Sequence, residues 1–163
     1  MPSHPPDTIV RRATLADMPA VGKLGALLVR AHHDWDPQRF MSASRHTAEG
    51  YGSFLGTELD EGDVAVMVAE QGGRVVGYIY AAVEPRDWMS LRDEAGVLHD
   101  IVVDPEHRGV GVGRMLLDAT LAFFKTRGMP RVVLETAEKN EVAHRLFAKA
   151  GFRRTMIEMT REL

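Results

Sequence analysis

Cysteine is absent from the 163 residues of the chain. Its absence excludes disulfide bonds, thiolate metal sites and a cysteine nucleophile, and a reducing cytoplasm is the location that we expect. Long apolar runs are also missing, since none approaches the about 20 residues that a membrane helix needs. The first residues contain no apolar core of the kind that marks a secretory signal. We therefore expect no membrane partner.

An excess of charge of one sign is lacking as well. The 20 Lys and Arg residues nearly balance the 23 Asp and Glu residues, and the formal net charge is −3. This balance gives no electrostatic reason to expect nucleic-acid binding. Hydrophobic residues make up 45% of the chain, which is enough for the core of one domain. We expect a loose tail over residues 1–7 and a single domain over residues 8–163.

Hydrophobic patterning predicts a mixed α/β chain with the element order β-α-α-β-β-β-α-β-α-β. A tight turn at Gln71-Gly72-Gly73 joins two of the strands. The predicted strands cover residues 8–12, 63–70, 74–84, 95–105 and 129–136 and an alternating last segment at 152–163. The predicted helices run from the Thr14 cap to the Asp36-Pro37 break and over residues 44–59, 113–126 and 141–150.

The segment RGVGVGR, Arg108–Arg114, lies between a predicted strand and a predicted helix. Glycines let the backbone approach a ligand closely, and the N–H groups at the start of a helix attract anions. The segment therefore indicates a phosphate site. Neither the P-loop pattern nor the dinucleotide-binding pattern fits, because the position where each needs its last glycine is occupied by Arg114 or Leu116.

The RGVGVG loop resembles the [RQ]-x-x-G-x-[GA] loop of the GCN5-related N-acetyltransferases, the GNAT superfamily. A second match follows at the expected separation in LETAEKNEVAHRLFAKAGF, Leu134–Phe152, and the likeness covers about Thr8 to Leu163. It implies an α/β fold with a central mixed sheet of six to seven strands. Helices on both faces and splayed central parallel strands are also implied. The alternative is a glycine-rich turn followed by an asparagine cap.

The resemblance implies acetyl-CoA as the co-substrate and acyl donor. The pantetheine arm would pair with backbone groups of the central strand, and Asn140 and Phe147 would contact the cofactor, Phe147 near its sulfur. The cofactor residues that the resemblance implies are Ile101, Val102, Val103, Arg108, Gly109, Val110, Gly111, Val112, Gly113, Arg114, Asn140 and Phe147.

Transfer of an acetyl group to an amine needs a base that removes the amine proton. Glu135, His99 and Asp100 are the candidates, and His99 and Asp100 are expected to face opposite sides of their strand. A strand N–H near Val102 is a candidate donor to the oxyanion. Many relatives have a tyrosine where Phe147 stands, and phenylalanine has no proton to give, so either another group serves as the acid or the thiolate leaves unassisted. Unassisted departure of the thiolate is acceptable, since thiols have a pKa of about 8.5.

The segment HHDWDPQRF, His32–Phe40, lies in the region that shapes the acceptor pocket in this superfamily. Asp34 and Asp36 would attract a cationic amine, and Trp35 and Phe40 would form pocket walls. The alternative is a helix end plugged by aromatic rings. Tyr80 shares a strand face with Tyr78 and is a further candidate, with sheet packing as the alternative. Adjacent helical histidines point about 100° apart, so we expect no metal.

The sequence thus predicts a cytoplasmic N-acetyltransferase that acetylates a primary amine of an unidentified small molecule or peptide by direct transfer. The alternative is a non-catalytic acyl-CoA-binding sensor or regulatory module on the same fold, which the absence of a hydroxyl at Phe147 keeps open. The alternating last segment also allows a homodimer.

Overall fold

The computed structural model describes residues 7–163. The tail predicted over residues 1–7 therefore lies outside the described residues, apart from Asp7. The helices are α1 (Met18–Trp35), α2 (Thr47–Glu58), α3 (Val112–Thr126) and α4 (Glu141–Lys149), and the strands are β1 (Thr8–Arg12), β2 (Val64–Gln71), β3 (Arg74–Glu84), β4 (Ala95–Val103) and β5 (Val132–Leu134). Short 3-10 turns cover Leu15–Asp17 and Pro105–His107.

The described strands form one mixed sheet in the order β1-β2-β3-β4-β5. The first four strands pair antiparallel, and β5 runs parallel to β4. Helices cover both faces, as predicted. The apolar faces of α1 and α2 pack against Val66, Tyr78 and Val102 on one face, and those of α3 and α4 pack against Met67 and Ile79 on the other.

Local signals in the sequence account for the ends of several elements. The β2–β3 hairpin turns through Gly72 and Gly73, whose φ angles of 55° and 78° favour glycine. Thr14 and Asp17 form a reciprocal capping box at the start of the first helical segment. Gly151, with φ 93°, follows α4 as the predicted C-terminal glycine. These predictions are confirmed.

A β-bulge in β4 and an early separation of β4 from β5 shape the centre of the sheet. The β3–β4 register shifts between the pairs Tyr80–Asp100 and Ala81–Leu98, so His99 is the extra residue. Strand β5 pairs with β4 only at Gly96–Leu98. Beyond the bulge, β4 has no parallel neighbour among the described residues, and the expected splay is confirmed.

The strand predicted at residues 152–163 is wrong. Residues 153–163 form no strand in the structure and are almost entirely exposed. Strand β5 is also shorter than the predicted 129–136. Alternation shows that a segment is able to form a strand, but a strand also needs a partner edge, which a sequence pattern does not supply. The described sheet therefore has five strands rather than six to seven.

Among residues 7–163, no helix combines the length and apolar content that a membrane crossing requires.

Candidate active site

Two tyrosines donate hydrogen bonds to one carboxylate oxygen beside the β4 bulge. The hydroxyls of Tyr51 in α2 and Tyr78 in β3 both donate to Oδ2 of Asp100, the latter over 3.2 Å. The other carboxylate oxygen, Oδ1, has no hydrogen-bond partner among the described residues, and it is not among their fully buried unpaired atoms. Asp100 therefore keeps one oxygen available to a ligand.

Close packing of α1 on α2 brings Tyr51 to Asp100. A methyl group at Gly25 of α1 would lie 2.4 Å from Cδ1 of the Tyr51 ring, and one at Gly22 would lie 2.1 Å from the carbonyl oxygen of Ala48. Only glycine fits at either position while the two helices keep this distance. The two glycines thus set how far the Tyr51 hydroxyl reaches toward the sheet.

Burial controls the proton affinity of this cluster. It raises the pKa of the half-buried Asp100 carboxyl, and the hydrogen bonds from Tyr51 and Tyr78 offset only part of that rise. Burial and the nearby Asp100 charge also raise the pKa of both tyrosines, which keeps them protonated as donors. Asp100 is therefore a stronger proton acceptor than an ordinary aspartate.

His99 lies on the same sheet face as Asp100, because the bulge interrupts the normal alternation. Its ring stacks on Tyr80 with centroids 4.9 Å apart, and Tyr80 shares its face with Tyr78. The expectation that His99 and Asp100 face opposite sides is wrong for this reason. Nε2 of His99 lies 2.6 Å from Oε1 of Glu84, so the ring donates from Nε2 and leaves Nδ1 as the free nitrogen.

Tyr80 lies between two carboxylates on this sheet face. Its hydroxyl donates to Oε2 of Glu58 over 3.3 Å, and burial, with the charge of Glu58 second, raises the pKa of Tyr80 to about 12. On the other side of Tyr80, the carboxylate of Glu84 pairs with Arg92 over 3.4 Å and accepts a hydrogen bond from His99. Carboxylates therefore flank the stacked pair of rings at both ends.

Glu135 does not join this cluster. It is exposed and directly follows β5, where the chain diverges from β4. The pKa of Arg39 is raised, chiefly by its hydrogen bond to Glu158. The charge of Glu135 makes a smaller contribution to the same rise. Of the three predicted bases, the structure brings His99 and Asp100 together and leaves Glu135 apart.

The predicted acceptor residues lie at the end of α1. Trp35 and Phe40 contact the ring of His32 edge-on, with centroids 5.0 and 4.9 Å away. A shallow apolar cavity of about 160 Å³ opens beside them, lined by Leu28, Val29, His32, Phe40 and Met41. The carboxylate of Asp36 caps the following turn through the N–H groups of Gln38 and Arg39, whereas Asp34 is exposed.

Both histidines at this helix end bond to backbone carbonyls through Nδ1, His32 to Leu28 and His33 to Phe40. Within residues 7–163, no group of three or more His, Asp or Glu side chains has an arrangement able to hold a metal ion.

The glycine loop has the geometry of an anion cradle. Gly109 and Gly111 adopt φ angles of 78° and 96°, and a methyl group at either would meet no atom within 4 Å. The N–H groups of Gly109, Val110 and Gly111 have no hydrogen-bond partner among the described residues. The loop leads directly into α3, whose first N–H groups point the same way. This arrangement suits an anionic group such as a phosphate.

The arginines on either side of the cradle are held by the protein itself. Arg108 donates to the carbonyl of Val103, and Arg114 pairs with Asp118 one helical turn later, each over 2.8 Å. Both side chains are exposed at the loop, so they add positive charge near the unpaired N–H groups. Val112 is buried and Gly113 packs near Leu146, and both begin α3.

The splayed part of β4 offers backbone groups next to this cradle. Asp104 N–H donates to Val76 in β3. Because strand N–H groups alternate, that of Val102 also points to β3, and those of Ile101 and Val103 point to the open side. The candidate oxyanion donor near Val102 is therefore one of its neighbours. Asn140 caps α4 through Ala143 N–H.

Phe147 lies in the core of the molecule. It is 6% exposed and packs against Phe152, with ring centroids 5.7 Å apart. Its ring packs on the sheet face that α3 and α4 cover, and it has no proton to donate.

Sequence reasoning missed Tyr51, Gly25, Glu58 and Glu84. Tyr51 and Glu58 lie in the weakly patterned helix α2, and Glu84 is the last residue of β3, a position that indicates no function by itself. The signal for Tyr51 was the pair of glycines three residues apart in α1, Gly22 and Gly25, which permit a close helix contact. No pattern in the sequence indicates which residue fills that space.

Comparison with known proteins shows the family of the chain. The model of the acetyltransferase (GNAT) family matches residues 28–152 of the chain. A mycothiol acetyltransferase of Cellulomonas flavigena is 32% identical over 96 residues, which is 57% of this chain and 28% of that protein. N-acetyltransferase 8B of Homo sapiens is 36% identical over 88 residues, which is 54% of this chain and 38% of that protein. The chain thus spans about a third of the length of these curated relatives.

Solved structures share the whole fold. The tetramutant of the BH1408 protein from Bacillus halodurans superposes with a TM-score of 0.83 at 22% identity, covering 95% of this chain and 99% of that one. The aminoglycoside N-acetyltransferase AAC(6')-Iy, solved in complex with CoA, has a TM-score of 0.73 at 16% identity, covering 96% of this chain and 94% of that one. These likenesses concern the fold alone. The chain belongs to the acetyltransferase (GNAT) family.

Proposed function

We propose that the chain transfers an acetyl group from acetyl-CoA to a primary amine of a small molecule or peptide, with Asp100 as the proton acceptor. The observation that carries this proposal is the half-buried Asp100 carboxyl, which has one oxygen held by two tyrosines and the other unpaired beside the open end of β4. Family membership supports acetyl transfer in general, and the site geometry supports the choice of base.

The chain's own groups would hold acetyl-CoA along a continuous path. The unpaired N–H groups of the glycine loop and the start of α3 would bind the pyrophosphate. The free N–H groups of Ile101 and Val103 would pair with the pantetheine arm and stabilise negative charge on the acetyl oxygen. The side-chain nitrogen of Asn140, which takes no part in the helix cap, would contact the cofactor from the other side of the gap between β4 and β5. The thioester supplies the activated acetyl group.

Asp100 is better placed for proton removal than the other two candidates. Its raised pKa brings it closer to neutral pH, where a general base works best. His99, one residue away, is fixed by Glu84 and Tyr80 and would pass the proton to solvent through its free nitrogen. Glu135 is exposed and has no hydrogen-bond partner within residues 7–163 that would orient it, so its contribution would be to attract the cationic acceptor.

The thiolate would leave without a general acid. Phe147 has no proton to give, and the hydroxyls of Tyr51 and Tyr78 are already committed to Asp100. A thiol has a pKa of about 8.5, so departure of the thiolate is not costly at neutral pH.

The acceptor would enter along the end of α1. The cavity beside His32 and Phe40 suits an apolar part of the acceptor, and Asp34 at the rim would attract its ammonium group. The carboxylate of Asp36 already accepts hydrogen bonds from its own turn, which makes it a weaker candidate for binding the ammonium group. Tyr80 would contact the acceptor through its ring, because it lies between the carboxylates of Glu58 and Glu84.

Binding is tested by titrating acetyl-CoA into the protein by calorimetry, with ATP and NAD as controls. We expect micromolar binding that Gly111→Ala weakens by about tenfold or more, since a side chain at φ 96° distorts the cradle. Gly128→Ala is the matched control, because Gly128 lies at the opposite end of α3 with φ 70° and an equally open surround. Equal losses from both variants, or no binding by the parent, would contradict the cofactor assignment.

Turnover is tested with a panel of primary amines and release of free CoA as the readout. Amine-dependent release that Asp100→Asn abolishes, while acetyl-CoA binding persists, supports the proposal. Binding of acetyl-CoA with no release for any amine would favour the alternative of a non-catalytic acyl-CoA-binding module.

A further inference from the structure

An exposed aromatic ring and a carboxylate lie side by side on α2, next to the candidate active site. Phe54 and Glu58 are about one helical turn apart, and both contact Tyr80 of β3. The Phe54 ring is 52% exposed and meets the Tyr80 ring edge-on, with centroids 6.1 Å apart. Oε2 of the half-buried Glu58 accepts the hydrogen bond from the Tyr80 hydroxyl over 3.3 Å. Helix α2 thus presents a ring and a negative charge at one place.

Elsewhere in the chain, a ring and a carboxylate in this arrangement share a cation. Two arginine side chains each lie over an aromatic ring and pair with a carboxylate at the same time. The guanidinium carbon is 4.6 or 5.6 Å from the ring centroid, and a guanidinium nitrogen is 2.9 or 2.8 Å from the carboxylate oxygen. Cation–π attraction and an ion pair act together in such a site. The two sets, in the same order, are Arg127 with Phe123 and Asp63, and Arg86 with Trp88 and Asp93.

Glu58 receives no such cation from the described chain. Within residues 7–163, no lysine or arginine forms a salt bridge with it, and the neutral Tyr80 hydroxyl is the donor to its carboxylate. Glu84, the carboxylate on the other side of Tyr80, does pair with Arg92. The cation that suits Phe54 and Glu58 would therefore belong to a ligand.

The position of Glu58 relative to Asp100 sets the length of that ligand. Tyr51 bonds to Asp100 from the same face of α2, and the helix rises by about 10 Å from Tyr51 to Glu58. Tyr78 and Tyr80, which bond to Asp100 and Glu58, are about 7 Å apart along β3. A chain of about five or six methylene groups with an amine at each end spans this separation.

We propose that Phe54, Glu58 and Tyr80 bind a second, non-reacting ammonium group of the acceptor, and that the acceptor is a linear diamine. This inference rests on the proposed function, because it names the acceptor of the same site. The near ammonium passes one proton to Asp100, and the resulting amine attacks the thioester carbonyl. The amide C–N bond forms, the C–S bond breaks, CoA leaves as the thiolate, and a second proton passes from the nitrogen to solvent. The far ammonium keeps its protons, paired with Glu58 beside the Phe54 ring.

Two acceptors of matched length test the subsite. Hexamethylenediamine and heptylamine differ only at the far end, where heptylamine has a methyl group in place of the second ammonium. We expect kcat/KM for the diamine to exceed that for heptylamine by about tenfold after correction for its two equivalent ends, with the difference mainly in KM. Equal corrected values of kcat/KM would overturn the proposal.

Substitutions on α2 assign the preference to individual side chains. Glu58→Gln removes the charge but keeps an oxygen for the Tyr80 hydroxyl, and we expect it to raise KM for the diamine about tenfold more than KM for heptylamine. Phe54→Leu removes the ring and should act in the same direction by about threefold. Glu49→Gln is the matched control, because Glu49 is an exposed glutamate of the same helix. A preference that persists in Glu58→Gln, or that Glu49→Gln lowers equally, would overturn the assignment.

Binding measurements separate failure of this subsite from failure of the proposed function. If the protein binds acetyl-CoA but acetylates no amine, the proposed function fails, and calorimetric titration of hexamethylenediamine into the CoA-saturated protein then tests the subsite alone. Binding that Glu58→Gln weakens by about tenfold would support the subsite. Equal binding to the parent and to Glu58→Gln, or no binding to the parent, would overturn it.

Discussion

Asp17 and Asp100 show how the surroundings of a carboxyl group decide its use. Arg11 donates to both oxygens of Asp17 over 2.8 and 2.9 Å, and this pairing lowers the pKa of Asp17 to about 2. Asp100 receives only neutral hydroxyls, and burial raises its pKa. No arginine or lysine within residues 7–163 pairs with it. A carboxylate with a matched cation stabilises the fold, whereas one without a cation is prepared to accept a proton.

The largest expected effect is on catalysis. Asp100→Asn keeps the shape and an oxygen for the two tyrosines but removes the proton acceptor. We expect kcat/KM with a responsive amine to fall by about 100-fold or more, with acetyl-CoA affinity unchanged. Steady-state kinetics and calorimetry check this. Glu135→Gln is the matched variant, and a larger loss there than in Asp100→Asn would reverse the assignment of the base.

Asp17→Asn is expected to act on stability and leave kcat/KM nearly unchanged. It removes the ion pair with Arg11, and we expect a loss of about 1–2 kcal/mol in the free energy of unfolding at neutral pH. Because the pKa of Asp17 is lowered, its contribution is present above about 3.8 and is lost as the pH falls toward about 2. Urea unfolding across this range checks the prediction. A loss that stays constant down to pH 2 would contradict it.

Tyr51→Phe sharpens the comparison by removing one donor to Asp100. The hydrogen bond from Tyr51 lowers the pKa of Asp100, so its removal should shift the acidic limb of the kcat/KM profile to higher pH.

Two further variants test that interpretation. Gly25→Ala should shift the profile in the same direction, since its methyl group displaces the Tyr51 ring. Tyr80→Phe should not, because the Tyr80 hydroxyl bonds to Glu58. A shift in Tyr80→Phe alone would show that another group controls the profile.

The smallest expected effect is a gain of stability in Asp100→Asn. A raised pKa means that the fold favours the protonated carboxyl, so the parent loses stability as the pH rises from the ordinary value of 3.8 through the raised one. Asparagine does not titrate. The melting temperature of Asp100→Asn should exceed that of the parent by a few degrees at pH 7, and by less at pH 4. Calorimetric melting checks the sign, and a lower melting temperature at pH 7 would contradict it.

Features that depend on a few neighbouring residues were predictable from the sequence. The bounds Thr8–Arg12 and Arg74–Glu84 were read correctly from β-branched runs next to turn residues. The start of α3 after the glycine loop and the Asn140 cap also follow from local chemistry. The loop and its position after the central strand were enough to indicate an anion site.

Features that depend on tertiary contacts were not predictable. The bulge turns the His99 side chain to the same sheet face as that of Asp100. Nothing in AGVLHDIVV shows where the alternation of side chains fails. The approach of Tyr51 to Asp100 depends on how closely two helices pack. Residues 153–163 alternate in hydrophobicity but form no strand, because a strand also needs a partner edge.

The central claim is that Asp100 is a carboxyl without a cation whose proton affinity is raised for catalysis. Carbon-13 NMR titration of labelled aspartates tests it most directly, with the Asp100 signal assigned from its loss in Asp100→Asn. We predict a pKa above the ordinary value, coinciding with the acidic limb of kcat/KM. A carboxyl that titrates at or below the ordinary value, as Asp17 should, would contradict the assignment.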